Sequence, residues 1–413
     1  METCQNCEMT MGSNHKSKQN AGPHPSRAAD AHIPALERNS QNVIIPTPAE
    51  IISLLSKRVI GQEQAKQVIA VAAYQHFLNC ARVDLHGCRM EPENNVLLVG
   101  PTGSGKSMLL KSLAEILRCP VIFNSCANIT PDGYKGKNLV QHLDSIASVI
   151  VDDEITRPAI IVWDEADKLA IQGKCDLAES ANIHRRMTQS EFLVYLDGTK
   201  CGSNGNLDSS RILNIAIGAF VGLDEIRNPE AKPSVGFHQV VADQQAASSQ
   251  NLVTAEHLIT YGLIPEFVGR FTRISSLEKL DHHALRRILT EAEGNVLSRR
   301  KDFYALHGVR LEITDDAIDQ LIQSARDEGT GGRALRVVVD RMLRQIEHRL
   351  PDMAQEGIHT LIYNRAAVLG TSRPIELRGN PANPTELIEL RRHAAYSKQN
   401  SSNQSDVAQA LGM

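Results

Sequence analysis

The sequence has little that would tie it to a membrane, a disulfide framework or a polyanion. None of its 413 residues lie in an apolar run long enough to cross a bilayer. Lys and Arg number 44 against 48 Asp and Glu, a formal charge of −4, so no field of one sign recruits nucleic acid or a membrane surface. Aromatic residues are 4% of the chain, with one tryptophan, and no basic stripe is interleaved with them as single-strand binding would require. Nucleic acid is therefore not expected as a partner, nor is a membrane. The eight cysteines are scattered, and the only close pair is Cys4-x-x-Cys7. No second C-x-x-C follows it, and His15, His24 and His32 are too widely spaced to complete a finger. The pair is either the remnant of a metal site or two free thiols on a disordered tail, and zinc is not expected. The N-terminal residues are polar, without the apolar segment of a secretory signal, and Glu2 and Glu8 are out of place in a transit peptide. A cytoplasmic protein with reduced cysteines is the expectation. No internal repeat is visible.

Against this plain background one segment stands out. Gly100-Pro101-Thr102-Gly103-Ser104-Gly105-Lys106-Ser107 has the form G-x-x-x-x-G-K-S. It follows the apolar run Val96–Val99 and precedes a helical stretch, Met108–Leu117, which is the strand–loop–helix setting the motif needs. Glycines let backbone N–H groups turn inward to cradle phosphate oxygens, and the helix N-terminus adds partial positive charge. Lys106 is placed to reach the outer phosphates and Ser107 to hold Mg²⁺. The nucleotide-binding set is thus Gly100 to Ser107, with Met108 at the mouth of the helix.

Short apolar segments recur at Val121–Phe123, Ile160–Trp163 and Ile212–Ile217, separated by helical patterns. Wholly apolar strands alternating with helices predict a parallel sheet covered on both faces. Ahead of them, Pro48–Leu55 and Gln62–Leu78 read as helices. Polar stretches at 200–210 and 227–251 read as exposed loops. After Arg273 the strand rhythm stops. Helical patterns cover 281–300, 314–327 and 333–349, and short strands follow near Thr360–Tyr363 and Pro374–Leu377. The expected fold class is α/β, a phosphate-loop sheet domain followed by a smaller, mainly helical domain with short strands. The expected divisions are a disordered tail over 1–43, a large domain over 44–273, a small domain over 274–379 and a polar tail over 380–413.

The strand Ile160-Ile161-Val162-Trp163 ends in Asp164-Glu165. Adjacent acids at the end of a buried strand are costly without a task. Beside a phosphate loop, Asp164 is placed to hold Mg²⁺ and Glu165 to orient or deprotonate the attacking water. Arg270 and Arg333 each close a glycine-rich stretch, and a guanidinium could offset charge on the transferring phosphoryl group. Surface ion pairing is the alternative for both.

Taken in order, these pieces resemble the AAA+ protein-unfolding ATPases, and within them the ClpX family. The likeness rests on Ile45-Pro46-Thr47-Pro48, Val59–Lys66, the phosphate loop, Gly133-Tyr134-x-Gly136, Asp164–Lys168, Gly262–Arg270 and Gly332-Arg333, and it runs from about Ile44 to about Leu377. The resemblance implies an ATP-hydrolysing homo-oligomer, a ring of six, that threads protein substrates through a central pore and delivers them to a ClpP-type peptidase. It implies that Val59 and Ile60 contact adenine, that Arg270 enters the neighbour's site, and that Arg333 senses nucleotide from the small domain. Tyr134 and Lys135 would face the pore, and Val235-Gly236-Phe237 would dock the peptidase. Alternatives are a stand-alone remodelling ATPase and a nucleic-acid-dependent loader. Four departures point to a divergent paralogue. The family's N-terminal zinc module is absent apart from Cys4 and Cys7. Lys135 replaces a small apolar residue, Cys201–Ser209 lacks a basic pore-guarding loop, and Asn214–Gly218 matches the first-sensor strand only in outline.

Overall fold

A computed structural model describes residues 31–32, 45–87, 95–131, 137–152, 155–171, 179–228 and 252–379. The described chain opens on helix α1 (Pro48–Arg58), started by a reciprocal cap in which Thr47 N–H donates to Glu50 and Glu50 N–H donates to Thr47 Oγ1. Helix α2 (Glu63–His86) follows and runs eight residues past its expected end, stopping at Gly87.

The main sheet contains β1 (Val96–Val99), β2 (Val121–Ser125), β3 (Ala159–Asp164), β4 (Ile212–Gly218) and β5 (Arg273–Ser276), in the spatial order β2-β3-β4-β1-β5. All four of these pairings are parallel, and the short segment Ala31–His32 pairs antiparallel outside β2. The first four strands fall where the apolar runs predict them. The fifth departs from expectation, since the apolar strand rhythm stops at Arg273.

Alternate residues of β3 face opposite layers. Ile160 and Val162 pack with Leu109 and Leu113 of α3 (Lys106–Leu117) and with α1 and α2. Ile161 and Trp163 pack with Phe192 and Tyr195 of α5 (Glu179–Leu196) and with α4 (Leu139–Ile150). Each Leu or Ile so buried contributes about 1.5–3 kcal/mol relative to exposure. The Trp163 indole N–H donates to Asn214 Oδ1 at 3.1 Å, and Tyr195 OH donates to the same oxygen at 2.6 Å.

Beyond β5 lies a helical unit with its own core. The single helical pattern over 281–300 resolves into α6 (His282–Thr290) and α7 (Val296–Leu306). Gly294, with φ of +65°, turns the chain between them. Helices α8 (Asp315–Asp327) and α9 (Gly332–Glu347) match expectation. A three-stranded sheet joins β6 (Arg310–Ile313), β7 (Ile358–Tyr363) and β8 (Ile375–Arg378), of which β6 was not foreseen. No helix among the described residues is long and apolar enough to cross a membrane.

Candidate functional site

The loop after β1 enters α3 with Gly105 as its cap and Lys106 as its first residue. Lys106 bends back into the loop, and its ammonium donates to Gly100 O at 2.5 Å and Pro101 O at 3.0 Å. Burial pushes its pKa down, Asp164 and Asp167 oppose that shift, and Arg333 adds to it. Ser104 is buried and its hydroxyl has no hydrogen-bond partner among the described residues. A cation held by two loop carbonyls, a buried hydroxyl left unbonded among the described residues and a helix N-terminus without a side-chain cap together suit phosphate oxygens.

Asp164 ends β3 opposite Ser125 of β2. Its Oδ1 accepts the Glu165 N–H at 2.8 Å. Burial raises the Asp164 pKa, the bond from Glu165 N–H opposes the rise, and the Glu165 charge adds to it. Glu165 is exposed and stands in the left-handed region at φ of +58°, a backbone state that non-glycine residues adopt at a cost. Ser125 Oγ donates to Glu165 Oε2 at 2.5 Å, across 40 residues of sequence. Two acids of different surroundings thus lie side by side, one half-buried and able to ligate a hard cation, the other exposed and oriented by a hydroxyl. Asp167, one turn on, is buried and accepts from Ala219 N–H at 3.3 Å, tying this turn to the end of β4.

The phosphate loop, Asp164 and Glu165 line one cleft of about 840 Å³. Val59 and Ile60 form an apolar wall of it, together with Ile288, Val296 and Val337 of the helical unit. Arg333 lines the same cleft, and its charge is felt at both Lys106 and Asp164. The two units touch at the loop itself, where Gly332 N–H donates to Gly103 O at 2.9 Å. A Cβ at Gly103, whose φ is +79°, would lie 1.9 Å from Thr330 O.

Arg270 is not among the residues that line the cleft. It is paired with Asp197 at the end of α5, Nε to Oδ1 at 2.5 Å and Nη2 to Oδ2 at 3.0 Å. Ser107 and the exposed Met108 line the cleft mouth. Tyr134, Lys135, Val235, Gly236 and Phe237 lie outside the described residues, as do Cys4 and Cys7. The chain enters and leaves the Tyr134 segment through a bridge in which Thr130 N–H donates to Lys137 O at 3.0 Å. Among the described residues, no group of three or more His, Cys, Asp or Glu could hold a metal ion. Neither Ser125 nor Asp197 is marked as a site residue by the sequence pattern. The sequence signal for the first is a hydroxyl at the tip of a neighbouring strand, and there is none for the second.

A parallel sheet in this order, carrying a phosphate loop and a carboxylate pair and followed by a helical unit, defines a two-unit phosphate-loop ATPase. Residues 96–226 match the ATPase family associated with various cellular activities (AAA), and residues 280–359 match the C-terminal, D2-small domain of ClpB protein. The chain is 31% identical over 346 residues to the ATP-dependent Clp protease ATP-binding subunit ClpX 2 of Wolinella succinogenes, covering 81% of this chain and 84% of that one. To the Azotobacter vinelandii ATP-dependent Clp protease ATP-binding subunit ClpX it is 35% identical over 337 residues, 75% of each chain. To the subunit of the same name from Borrelia duttonii it is 32% identical over 363 residues, 84% of each. The chain belongs to the ClpX family of AAA+ ATPases and is a divergent member of it.

Proposed function

We propose that this ATPase is a ring-forming protein unfoldase, working in the cytoplasm as the ATP-binding partner of a ClpP-type peptidase. The observation that carries the reading is the shared cleft: Arg333 of the helical unit faces Lys106 and Asp164 of the sheet unit. Occupancy of such a cleft biases the angle between the two units, which is how nucleotide state becomes movement. Names of the relatives supply the peptidase.

In this reading Val59 and Ile60 receive the adenine, and Lys106 turns from the loop carbonyls to the phosphates. Ser107 and Asp164 hold Mg²⁺, which when bound offsets phosphate charge. Glu165, held by Ser125, accepts a proton from the attacking water. Arg333 acts within its own subunit. Arg270 acts on the neighbour's site, consistent with its place beside Asp197 and away from its own cleft. Six subunits would close the ring. Tyr134 would grip the substrate by apolar contact, with Lys135 adding positive charge to the pore, and Val235-Gly236-Phe237 would anchor the peptidase.

The test is ATP-dependent loss of fluorescence from a tagged fluorescent protein, with and without a ClpP-type peptidase. Unfolding with degradation, abolished by Phe237→Ala while basal ATP turnover survives, is the expected result. Unfolding without binding or stimulating the peptidase would make the protein a stand-alone remodeller. No unfolding of any tagged protein would end the reading.

A further inference from the structure

The covalent passage from the sheet unit to the helical unit is short. Leu277 N–H is still tied to Val99 O at 2.7 Å, while Asp281 already caps α6 through Ala284 N–H at 2.6 Å. Between them the peptide groups of Glu278 are held by a side chain 216 residues away. Glu278 N–H donates to Gln62 Oε1 at 2.9 Å, and Gln62 Nε2 donates to Glu278 O at 2.9 Å. The primary amide thus pairs with this backbone as an adjacent strand would. A further, longer bond of 3.3 Å runs from the same Nε2 to Ser104 O in the phosphate loop.

Gln62 is unfavourable locally in two ways. Its φ of +62° puts it in the left-handed region, where Asn or Gly would be more comfortable. It also precedes α2 as the cap residue, yet makes no side-chain cap bond, a role that Ser, Thr, Asp or Asn would fill. Both costs are tolerated while the amide reaches the hinge and the loop, and strain kept at a site contact points to a functional constraint.

We propose that Gln62 is the positioning residue that couples the phosphate loop to the interunit hinge at Glu278. Its two Nε2 protons are divided between Ser104 O and Glu278 O, so a loop conformation that turns the Ser104 carbonyl away frees one proton and changes the grip on the hinge. The long bond to Ser104 is the one that yields, and the pair of 2.9 Å bonds is what responds. The inference rests on the ATPase activity of the chain and not on which protein it unfolds.

The experiment is hydrogen exchange of the full-length protein, read at the Glu278 amide, with and without ATPγS, alongside binding of a fluorescent ATP analogue and steady-state ATP turnover. In the wild type, ATPγS is expected to change Glu278 exchange about fivefold or more. Gln62→Met removes acceptor and donors together. It is expected to speed that exchange about tenfold, the scale of one lost hydrogen bond, and to erase the response to ATPγS. Nucleotide affinity should stay within about threefold, while the maximal turnover rate falls by about tenfold. A generally loosened fold would instead raise exchange throughout β1 to β5. Gln62→Asn gives a second reading, since Asn suits positive φ but is one methylene too short to reach Glu278, and it should lose the response in the same way. An unchanged Glu278 amide in wild type with and without ATPγS, or an intact response in either folded variant, overturns the proposal.

Discussion

Gly103→Ala isolates the contact between the two units. The glycine sits at φ of +79°, and an added Cβ would meet Thr330 O at 1.9 Å and Thr330 C at 2.8 Å. Those atoms are backbone, so no rotamer change relieves the overlap, and the Thr330–Gly331 turn must move away by more than 1 Å to restore an ordinary contact of roughly 3.4 Å. That movement breaks the 2.9 Å bond from Gly332 N–H to Gly103 O. Gly329→Ala is the matched control: its φ is +69° and nothing lies within 4 Å of a Cβ there. Both substitutions incur the left-handed strain of about 1–2 kcal/mol. Gly103→Ala alone adds a lost hydrogen bond, about 0.5–1.5 kcal/mol, and displaced packing. We expect Gly103→Ala to be the less stable by about 1–3 kcal/mol, seen as a midpoint lower by several degrees in thermal unfolding. Turnover of ATP should also fall, because Arg333 follows the displaced turn. Equal losses for the two variants would refute the reasoning, since the loop and the helical unit would then not be in contact in solution.

Glu165→Gln should bind ATP normally but hydrolyse it about 10²–10⁴-fold more slowly; single-turnover kinetics at wild-type rate would remove Glu165 from the chemistry. Arg270→Ala should bind ATP and fail to hydrolyse it, and mixing it with Lys106→Ala subunits should restore part of the activity, whereas an arginine acting within its own subunit gives no rescue. Asp164→Asn should stabilise the fold at pH 7. Burial raises the Asp164 pKa above 3.8, so the native state is penalised when the group is ionised; the penalty is absent below the unfolded value and complete above the folded one. Urea unfolding should therefore show the gain at neutral pH and none near pH 3, and a loss of stability at pH 7 would contradict the assigned environment.

The strands that build the nucleotide site were readable because they are apolar on both faces and bounded by polar loops. β5 was not, since Arg-Ile-Ser-Ser offers one apolar side chain and owes its place to pairing with β1 across some 177 residues. The split between α6 and α7 is not legible in the sequence because apolar residues keep helical spacing through Gly294. Lys106, Asp164 and Glu165 announced themselves by motif. Ser125, Asp197 and the Gln62 contacts did not, because each acts through a partner 40 or more residues distant, and spacing carries no record of such pairings.

Asn214 has a consequence for how the sheet assembles. β3 is apolar on both faces up to Asp164, and β4 is buried at every position, so neither has the inside–outside alternation that ordinarily penalises misaligned strands. Sliding β4 by one residue would exchange one aliphatic contact for another of similar worth. It would also carry the Asn214 amide to the opposite layer, leaving the indole N–H of Trp163 without this acceptor in an apolar interior and breaking the bond from Tyr195 OH. The stranded indole alone costs about 1–3 kcal/mol, enough to favour the native alignment over its neighbours. One amide thus sets the vernier of a strand pair whose hydrophobic residues cannot, and keeps Trp163 of β3 level with Ala216 of β4.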